Sequence, residues 1–241
     1  MRRRILGKLA ADAFGMLELP ELPDEIRDGF RALHDLTGLV SDAMDELGIV
    51  GAVPAALLIP RDPSARLVGR VLTVRNISAA AAVPQAVKAG VSGLGEIEAH
   101  NLAEPGDVLV VQGVDQVSNL GGVSATIGRR QGEIGAIVEG GVRDVDHSRG
   151  IGYPIWSRSV SPLTGKWRVK TVAINKPVII CGVAVNPGDV VLADETGVCF
   201  VPRGRAVEVL QRAERNAAAE KKREAKIASG APVAELFGTT R

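Results

Sequence analysis

The sequence predicts an α/β protein, and three observations support that class. Val-rich segments of strand length alternate with segments of helical periodicity along the 241 residues. Hydrophobic residues make up 46% of the chain and aromatic residues only 3%, which indicates an aliphatic core in which β-branched residues favour strands. A Pro-Gly-Asp turn followed by a Val-rich run occurs twice, at residues 105–111 and 187–193. Each copy predicts a tight turn that leads into a buried strand.

Two parts are predicted along the chain. Residues 1–35 form an N-terminal helical arm, interrupted at Pro20 and Pro23, that packs on the body or on a neighbouring subunit. Residues 36–241 form one body, because no linker composition divides them.

The body is predicted to alternate between helices and strands. Its first helix covers residues 36–47, where apolar residues recur at helical spacing, with Asp35 or Thr37 as its cap and Gly48 at its end. The other predicted helices cover residues 79–89, 121–131, 144–149 and 203–229. The other predicted strands cover residues 67–74, 135–138, 178–185 and 198–201.

The C-terminal helix, over residues 203–229, is long and charged. It contains the run EKKRE at residues 220–224. Such a helix is either solvated and stabilised by its own i,i+4 ion pairs or docked against another subunit, and both interpretations stay open.

Composition and charge argue against several classes of protein. A net charge of +1 provides no field that would attract nucleic acid or an anionic membrane, and no apolar run approaches the roughly 18 residues of a membrane span. Lys8 and Asp12 interrupt the N-terminal apolar segment before it resembles a signal peptide. Cys181 and Cys199 form no CxxC pair, which predicts buried, reduced thiols rather than a zinc site. We therefore expect a cytoplasmic protein that binds neither nucleic acid nor membrane.

One stretch, residues 118–144, points to chemistry. It begins with the small-residue turn SNLGG at residues 118–122. This turn predicts a helix that starts near Leu120, is capped by Ser118 or Asn119, and offers open backbone N–H groups to an anion. An ordinary glycine-rich turn is the alternative interpretation.

The same stretch ends in a cation beside a carboxylate. Twenty residues separate Gly122 from Arg143, which Asp144 follows at the end of a predicted strand, where α/β proteins usually bind ligands. The planar fork of arginine suits a carboxylate, and an aspartate oxygen suits Mg²⁺ or Mn²⁺. The alternative is a surface ion pair in which Asp144 caps a short helix.

Weaker candidates lie just downstream. His147, one helical turn after Asp144, either faces the same pocket or is an exposed helix residue. Tyr153 and Trp156 follow, the latter as an expected core aromatic, and Arg158 is a candidate second anion contact.

These residues resemble the signature of a known family. Two glycines, twenty residues and then the run GGVRDVD at residues 140–146 resemble the pattern of the RraA-like proteins, named after the regulator of ribonuclease E activity A. The similarity extends from about residue 36 to 236. The family includes the class II 4-hydroxy-4-methyl-2-oxoglutarate/4-carboxy-4-hydroxy-2-oxoadipate aldolases, and many members are labelled dimethylmenaquinone methyltransferases. The resemblance implies a swivelling β/β/α-type fold, with central β-sheets flanked by helices, assembled as a homotrimer or homohexamer with active sites at subunit interfaces.

The resemblance also implies roles for individual residues. Arg143 binds the carboxylate of a small 2-oxo acid, and Asp144 holds Mg²⁺ or Mn²⁺, partly through water. Glu220, from the C-terminal helix of a neighbouring subunit, anchors the water shell of the metal. The remaining implied substrate contacts come from three backbone amides, those of Leu120, Gly121 and Gly122.

One departure from the family pattern and one retained feature shape the functional hypotheses. The aldolases carry an acidic residue twenty-one positions before the arginine, where this chain has Gly122. The ribonuclease regulators lack the complete Arg-Asp pair, which this chain retains. The leading hypothesis is a metal-dependent carbon–carbon lyase, an aldolase-like enzyme that also decarboxylates oxaloacetate. The alternatives are a protein-binding regulator of ribonuclease activity without catalysis, and a different oxo- or hydroxy-acid reaction at the same metal site.

Overall fold

A mixed β-sheet flanked by helices forms the centre of the molecule, as the α/β class requires. The structure, a computed structural model, describes residues 5–236. Its helices are α1 (Asp24–Ala32), α2 (Leu36–Glu46), α3 (Val83–Ala89), α4 (Glu96–Leu102), α5 (Gly122–Gln131), α6 (Val145–Gly150), α7 (Ala206–Ala228) and α8 (Val233–Leu236). Its strands are β1 (Ala52–Pro54), β2 (Ile59–Pro60), β3 (Leu67–Ser78), β4 (Asp107–Gln112), β5 (Ser118–Leu120), β6 (Gly135–Val142), β7 (Ile155–Val160), β8 (Val169–Ile174), β9 (Val178–Ile180), β10 (Val183–Val185), β11 (Val190–Ala193) and β12 (Gly197–Val201).

The large sheet has ten strands, of which the central ones are parallel. The order along its main path is β1-β12-β11-β3-β4-β6-β7-β2, with β5 beside β6 and β8 beside β3. Strands β3, β4, β6 and β7 run parallel to one another, whereas β11 and β2 pair antiparallel with β3 and β7. The apolar run at residues 108–111 of β4 is buried on both faces, as expected of a central parallel strand. Because β5 and β6 are parallel, both end at the same edge of the sheet.

Three apolar clusters cover the sheet. One lies under α1, α2 and α7, a second contains β9 and β10, and a third lies under α4 and α5. The arm contributes to the first cluster, because Phe30 on α1 is fully buried and Gly29 closely approaches Leu210 on α7. Helix α1 is therefore packed against the body, whereas residues 1–4 of the predicted arm lie outside the described residues.

The region of residues 178–185 differs from its prediction. It forms two short antiparallel strands, β9 and β10, instead of one strand. Cys181 and Gly182 between them have φ angles of +48° and +88°, a turn conformation that reverses the chain. Strands β7 and β8 and helix α4 were absent from the predicted elements. A run of seven residues such as α4 is too short to show a helical period clearly.

The composition also led to expectations about the two cysteines and about membrane-spanning helices. Cys181 and Cys199 are both free thiols, the first partly buried and the second buried. Burial raises the pKa of the Cys181 thiol to about 11 and that of the Cys199 thiol to about 12, so both are protonated at neutral pH. Between residues 5 and 236, no helix combines the length and the apolar character that crossing a bilayer requires.

Candidate active site

The turn at residues 118–122 is built differently from its prediction. Ser118–Leu120 forms strand β5, with Ser118 opposite Gly141 and Leu120 opposite Val142 on β6. Helix α5 therefore begins at Gly122 and not at Leu120. Sheet pairing prevails because Leu120 buries its side chain in the third apolar cluster, which a solvent-facing helix start would not allow.

The two predicted cap residues serve other purposes. The Asn119 side-chain amide donates hydrogen bonds to the carbonyls of Val114 (2.7 Å) and Val117 (2.9 Å), and its oxygen accepts one from the Val114 N–H. The Ser118 hydroxyl donates to the carbonyl of Leu120 at 2.9 Å. These bonds fix the loop before β5, and the prediction that either residue caps α5 was wrong.

Asp144 closes the N-terminus of α5 instead. Its Oδ2 accepts a hydrogen bond of 2.8 Å from the backbone N–H of Gly122. Asp144 stands at the N-cap position of α6, as the surface-pair interpretation required, yet its carboxylate makes no cap bond to that helix. The residue has φ 55° and ψ 40°, a left-handed conformation that is uncommon outside glycine and that turns its carboxylate back toward α5. The partial positive charge at the start of α5 stabilises the anion there.

Arg143 lies beside this carboxylate and remains accessible. Its Nε is 3.4 Å from Asp144 Oδ2, and the two side chains are 37% and 46% exposed. The pair is therefore a loose contact, in which much of the guanidinium fork and of the carboxylate faces outward.

Both glycines at the start of α5 lie close to the side chains that follow β6. A Cβ on Gly121 would lie 3.0 Å from both Arg143 Nε and Asp144 Oδ2. A Cβ on Gly122 would lie 3.0 Å from the ring of His147, whose Nε2 is 2.8 Å from the Thr126 hydroxyl. His147 thus faces Gly122, and it occupies the space that a larger side chain at position 122 would need.

A cavity of about 220 Å³ opens beside this pair. Arg143 and Lys166 provide two cations to its lining and Glu96 provides a carboxylate. The rest of the lining is mostly apolar or neutral: Leu94, Ile97, His100, Ser118, Asn119, Leu120, Gly121, Val123, Ser124, Ile127, Thr164 and Gly165. The volume lies below the roughly 300–1,000 Å³ typical of drug-sized ligands, which favours a small organic acid.

Two of the cavity's charged groups, Lys166 and Glu96, could not be predicted from the sequence. Lys166 follows β7 in a loop whose composition carries no signal, and Glu96 begins the short helix α4. Within the described part of the chain, Glu96 Oε2 has almost no exposed surface and no hydrogen-bond partner. An enclosed acceptor of this kind calls for a donor that the protein itself does not supply.

A buried hydrogen-bonded network adjoins the cavity. His100 Nδ1 is 2.7 Å from Glu133 Oε1, and His100 Nε2 is 2.7 Å from Ser124 Oγ. The Tyr153 hydroxyl donates a bond of 2.6 Å to Glu133 Oε2. Burial and the charge of Glu133 raise the pKa of Tyr153 well above its ordinary value, so the phenol keeps its proton. No sequence spacing indicates this network, because its members lie on four separate segments.

Several predicted residues do not reach the cavity within one chain. Glu220 on α7 has its Oε2 3.9 Å from His34 Nε2 and does not line the cavity, so a role at the metal requires a neighbouring subunit. Arg158 pairs with Glu139 at 3.6 Å. Trp156 is a fully buried core residue, as expected, and its Nε1 donates to the Asp194 carbonyl.

Asp144 provides one accessible carboxylate, an oxygen donor of the type that hard divalent cations accept. Among residues 5–236, no three His, Cys, Asp or Glu side chains are grouped so that they could hold a metal. Mg²⁺ keeps several waters and often takes only one or two carboxylates, and Asp144 provides one that is half exposed.

The fold and the site define a class of protein: a mixed α/β-sheet protein with an accessible Arg-Asp pair after a central parallel strand, beside a small cavity lined by two cations and one carboxylate. The chain belongs to the RraA-like family, described as Aldolase/RraA, whose profile matches residues 37–200. The residues that carried the resemblance in the sequence lie within that match.

Known proteins agree with this assignment. A Halalkalibacterium halodurans protein provisionally named 4-hydroxy-4-methyl-2-oxoglutarate aldolase is 28% identical over 193 residues, which is 79% of this chain and 84% of that protein. Protein DlpA of Legionella pneumophila is 28% identical over 199 residues, but the match spans only 30% of its length. A solved Streptomyces coelicolor structure, described as an unusual member of the RraA family of ribonuclease ES inhibitors, superposes with a TM-score of 0.69 at 26% identity, covering 85% of this chain and 96% of that chain.

Proposed function

We propose that this protein is a carbon–carbon lyase that depends on a divalent metal and acts on a small 2-oxo acid. One observation supports the proposal most directly. Two cations, Arg143 and Lys166, line one cavity of about 220 Å³, and a half-exposed carboxylate, Asp144, is fixed beside it.

The substrate carboxylate would bind to the cations. The guanidinium of Arg143 offers parallel N–H groups that match the two oxygens of a carboxylate, and Lys166 adds a point charge. The backbone N–H of Gly122 is already engaged by Asp144, so it is not available to the substrate in this conformation. Amide contacts from Leu120 and Gly121, which both line the cavity, remain predictions.

Asp144 would hold the metal. One of its oxygens is oriented by the Gly122 N–H, which leaves the carboxylate in a single orientation beside Arg143. When bound, Mg²⁺ or Mn²⁺ would polarise the 2-oxo group of the substrate and stabilise the negative charge that develops on it. Glu220 of a neighbouring subunit is the proposed further anchor, which ties this site to a homotrimer or homohexamer.

The chemistry common to the candidate reactions is formation of a pyruvate enolate. Aldol cleavage of a 4-hydroxy-2-oxo acid and decarboxylation of oxaloacetate both leave the same enolate, so one site serves both. A hydroxyl on the substrate would also supply the donor that Glu96 Oε2 lacks. These features favour a 4-hydroxy-2-oxo acid such as 4-hydroxy-4-methyl-2-oxoglutarate.

The test measures pyruvate formed from oxaloacetate and from 4-hydroxy-4-methyl-2-oxoglutarate in the presence of Mn²⁺. We expect turnover that a chelator abolishes and a kcat/KM that Arg143→Ala lowers by about 100-fold, because the variant loses the charge-assisted contact with the substrate carboxylate. Arg149→Ala is the matched control, because Arg149 is exposed on α6 and pairs with Asp146 outside the cavity. No pyruvate from either substrate, or turnover that survives the chelator, would refute the proposal.

A second candidate function is binding to a ribonuclease without catalysis. The similarity to a solved member of the ribonuclease ES inhibitor family favours it. Residues 221–228 of α7, which are all exposed in the single chain, offer a surface for such a partner. The test is sedimentation of the protein with a purified ribonuclease E-type enzyme. If the two form a stable complex and the protein forms no pyruvate, the regulator proposal replaces the lyase proposal.

A further inference from the structure

The network of Ser124, His100 and Glu133 has the geometry of an acid–base relay. Two consecutive hydrogen bonds of 2.7 Å connect the Ser124 hydroxyl to His100 Nε2 and His100 Nδ1 to Glu133. Glu133 and His100 are fully buried, whereas Ser124 is 9% exposed, and His100 and Ser124 both belong to the cavity lining. The chain of hydrogen bonds therefore leads from the interior to the space where the substrate is proposed to bind.

The partners limit where the protons of the network can lie. Tyr153 can only donate to Glu133 Oε2, which leaves Oε1 as an acceptor for the proton on His100 Nδ1. In neutral His100 with its proton on Nδ1, Nε2 accepts from the Ser124 hydroxyl. In protonated His100, Nε2 donates to Ser124, whose own proton then turns toward another acceptor. This arrangement would let Ser124 pass a proton in either direction between His100 and the cavity.

The helix that carries Ser124 is shaped around this network. Gly128 lies one turn later on α5, and a Cβ there would be 2.3 Å from Glu133 Oε2 and 3.1 Å from His100 Nδ1. The absence of a side chain at Gly128 allows the buried histidine–glutamate pair to lie directly against the helix. Because Glu133 is a fully buried carboxylate, it requires such partners for each of its oxygens.

We propose that Ser124, His100 and Glu133 form a proton relay that serves the cavity, with Ser124 as the residue that exchanges a proton with the substrate. This inference rests on the proposed lyase function. It assigns the acid–base role to Ser124, because position 122 carries no acidic residue that could perform it. His100 and Glu133 act through Ser124 as positioning residues.

The protons and electrons balance within one turnover. Ser124 takes the proton of the substrate's 4-hydroxyl while passing its own proton to neutral His100. The 4-oxygen becomes a carbonyl, the C3–C4 bond breaks, and its electron pair forms the C2–C3 double bond of the enolate as the former C2–O π pair moves to the 2-oxygen. Ser124 then protonates C3 and recovers a proton from His100, which releases pyruvate and returns the relay to its starting state.

The test compares two rates in the presence of Mg²⁺: cleavage of 4-hydroxy-4-methyl-2-oxoglutarate, and exchange of pyruvate methyl hydrogens with D₂O followed by proton NMR. In Ser124→Ala we expect kcat for cleavage and the exchange rate both to fall by about 100-fold, at the lower end of general acid–base contributions, with KM almost unchanged. Ser124→Thr keeps the hydroxyl and should restore most of both rates.

Ser161→Ala is the matched control. Ser161 is also 9% exposed and its hydroxyl donates to the carbonyl of Gln116, but it does not line the cavity. Glu133→Gln keeps the shape of the network and removes the charge that sets the His100 tautomer, so it should lower kcat without raising KM. If circular dichroism shows that Ser124→Ala does not fold, Glu133→Gln and His100→Gln take its place. The relay then predicts that each variant lowers kcat and leaves KM almost unchanged.

The outcomes separate the two proposals. If Ser124→Ala cleaves the substrate at the wild-type rate and exchanges the pyruvate methyl hydrogens within twofold of the wild-type rate, the relay is overturned and the lyase function stays intact. An equal loss in Ser161→Ala would overturn the relay as well, because the effect would not be specific to Ser124. A wild-type protein that neither cleaves nor exchanges would overturn both proposals.

Discussion

Two Arg–Asp pairs in this molecule have the same chemistry and opposite environments. Arg70 and Asp107 are joined by two hydrogen bonds of 2.7 and 3.1 Å, with side chains only 8% and 1% exposed. Arg143 and Asp144 approach only to 3.4 Å, with side chains 37% and 46% exposed. The first pair joins β3 to β4 inside the protein, whereas the second stands at the end of β6 beside a cavity.

The comparison shows that burial and the number of satisfied partners separate a structural pair from a binding pair. Arg70 also donates to the carbonyls of Leu19 and Pro20 and to Glu104, so its donors are used within the chain. Arg143 and Asp144 keep much of their hydrogen-bonding capacity unused. Removing a partner from the buried pair leaves a charge in the interior, whereas removing one from the exposed pair leaves a charge in water.

The largest expected effect is at the buried pair. Asp107→Asn should lower the free energy of unfolding by about 3 kcal/mol, because the guanidinium of Arg70 stays buried beside a neutral amide that accepts less well. Urea unfolding at neutral pH measures the change. A loss below about 1 kcal/mol would mean that Glu104 and the backbone carbonyls suffice for Arg70, and the contrast with Arg143–Asp144 would disappear.

The second buried pair, His100–Glu133, provides the next test. Gly128→Ala should lower the free energy of unfolding by about 1–3 kcal/mol, because the new methyl group requires Glu133 to move away from His100. Gly38→Ala on α2 is the control, since nothing lies within 4 Å of a Cβ there, and it should stabilise the helix slightly. The thermal unfolding temperature should fall in Gly128→Ala and rise slightly in Gly38→Ala. A shift in the same direction in both variants would contradict this account of Gly128.

Asp194 is the intermediate case: it is partly buried, and among residues 5–236 it forms no ion pair with a cation. Burial alone would raise its pKa, but hydrogen bonds from Thr196 and Thr37 outweigh burial and lower the pKa. A lowered folded-state pKa means that the stabilisation is fully present above the unfolded value of about 3.9 and is lost as pH falls through the folded value.

Asp194→Asn should therefore lower the free energy of unfolding by about 2 kcal/mol at pH 7, and this difference from wild type should shrink below about pH 4. Urea unfolding of both proteins between pH 3 and pH 7 follows the difference. A difference that is independent of pH would show that the charge on Asp194 does not carry the effect.

The smallest effect on stability is expected at the exposed pair. Asp144→Asn, the same substitution as at the buried pair, should change the free energy of unfolding by less than about 1 kcal/mol, because asparagine tolerates the left-handed backbone and an exposed ion pair contributes little. Metal-dependent pyruvate formation should nevertheless be lost. Retained stability with lost activity would sharpen the distinction between the two pairs, whereas a stability loss equal to that of Asp107→Asn would remove it.

Much of the fold could be predicted from the sequence because its signals are local. The apolar spacing over residues 36–47 predicted α2 closely, since one face of a helix must be buried wherever that helix packs. The first Pro-Gly-Asp turn leads directly into β4, because a tight turn and a Val-rich run both act over a few residues. The prediction for β5 failed because Ser118–Leu120 gains its stability from β6, more than fifteen residues away.

The sequence by itself determined the α/β class, the family and the Arg143–Asp144 pair at the end of a central strand, because each depends on residues that are close in the chain. Only the tertiary structure decided that Asp144 closes the N-terminus of α5 and that His147 fills the space beside Gly122. It alone brought Lys166, Glu96 and the Ser124–His100–Glu133 network to one cavity. These arrangements depend on contacts between distant segments, whose distances are set by sheet order and packing and leave no periodic signal in the sequence.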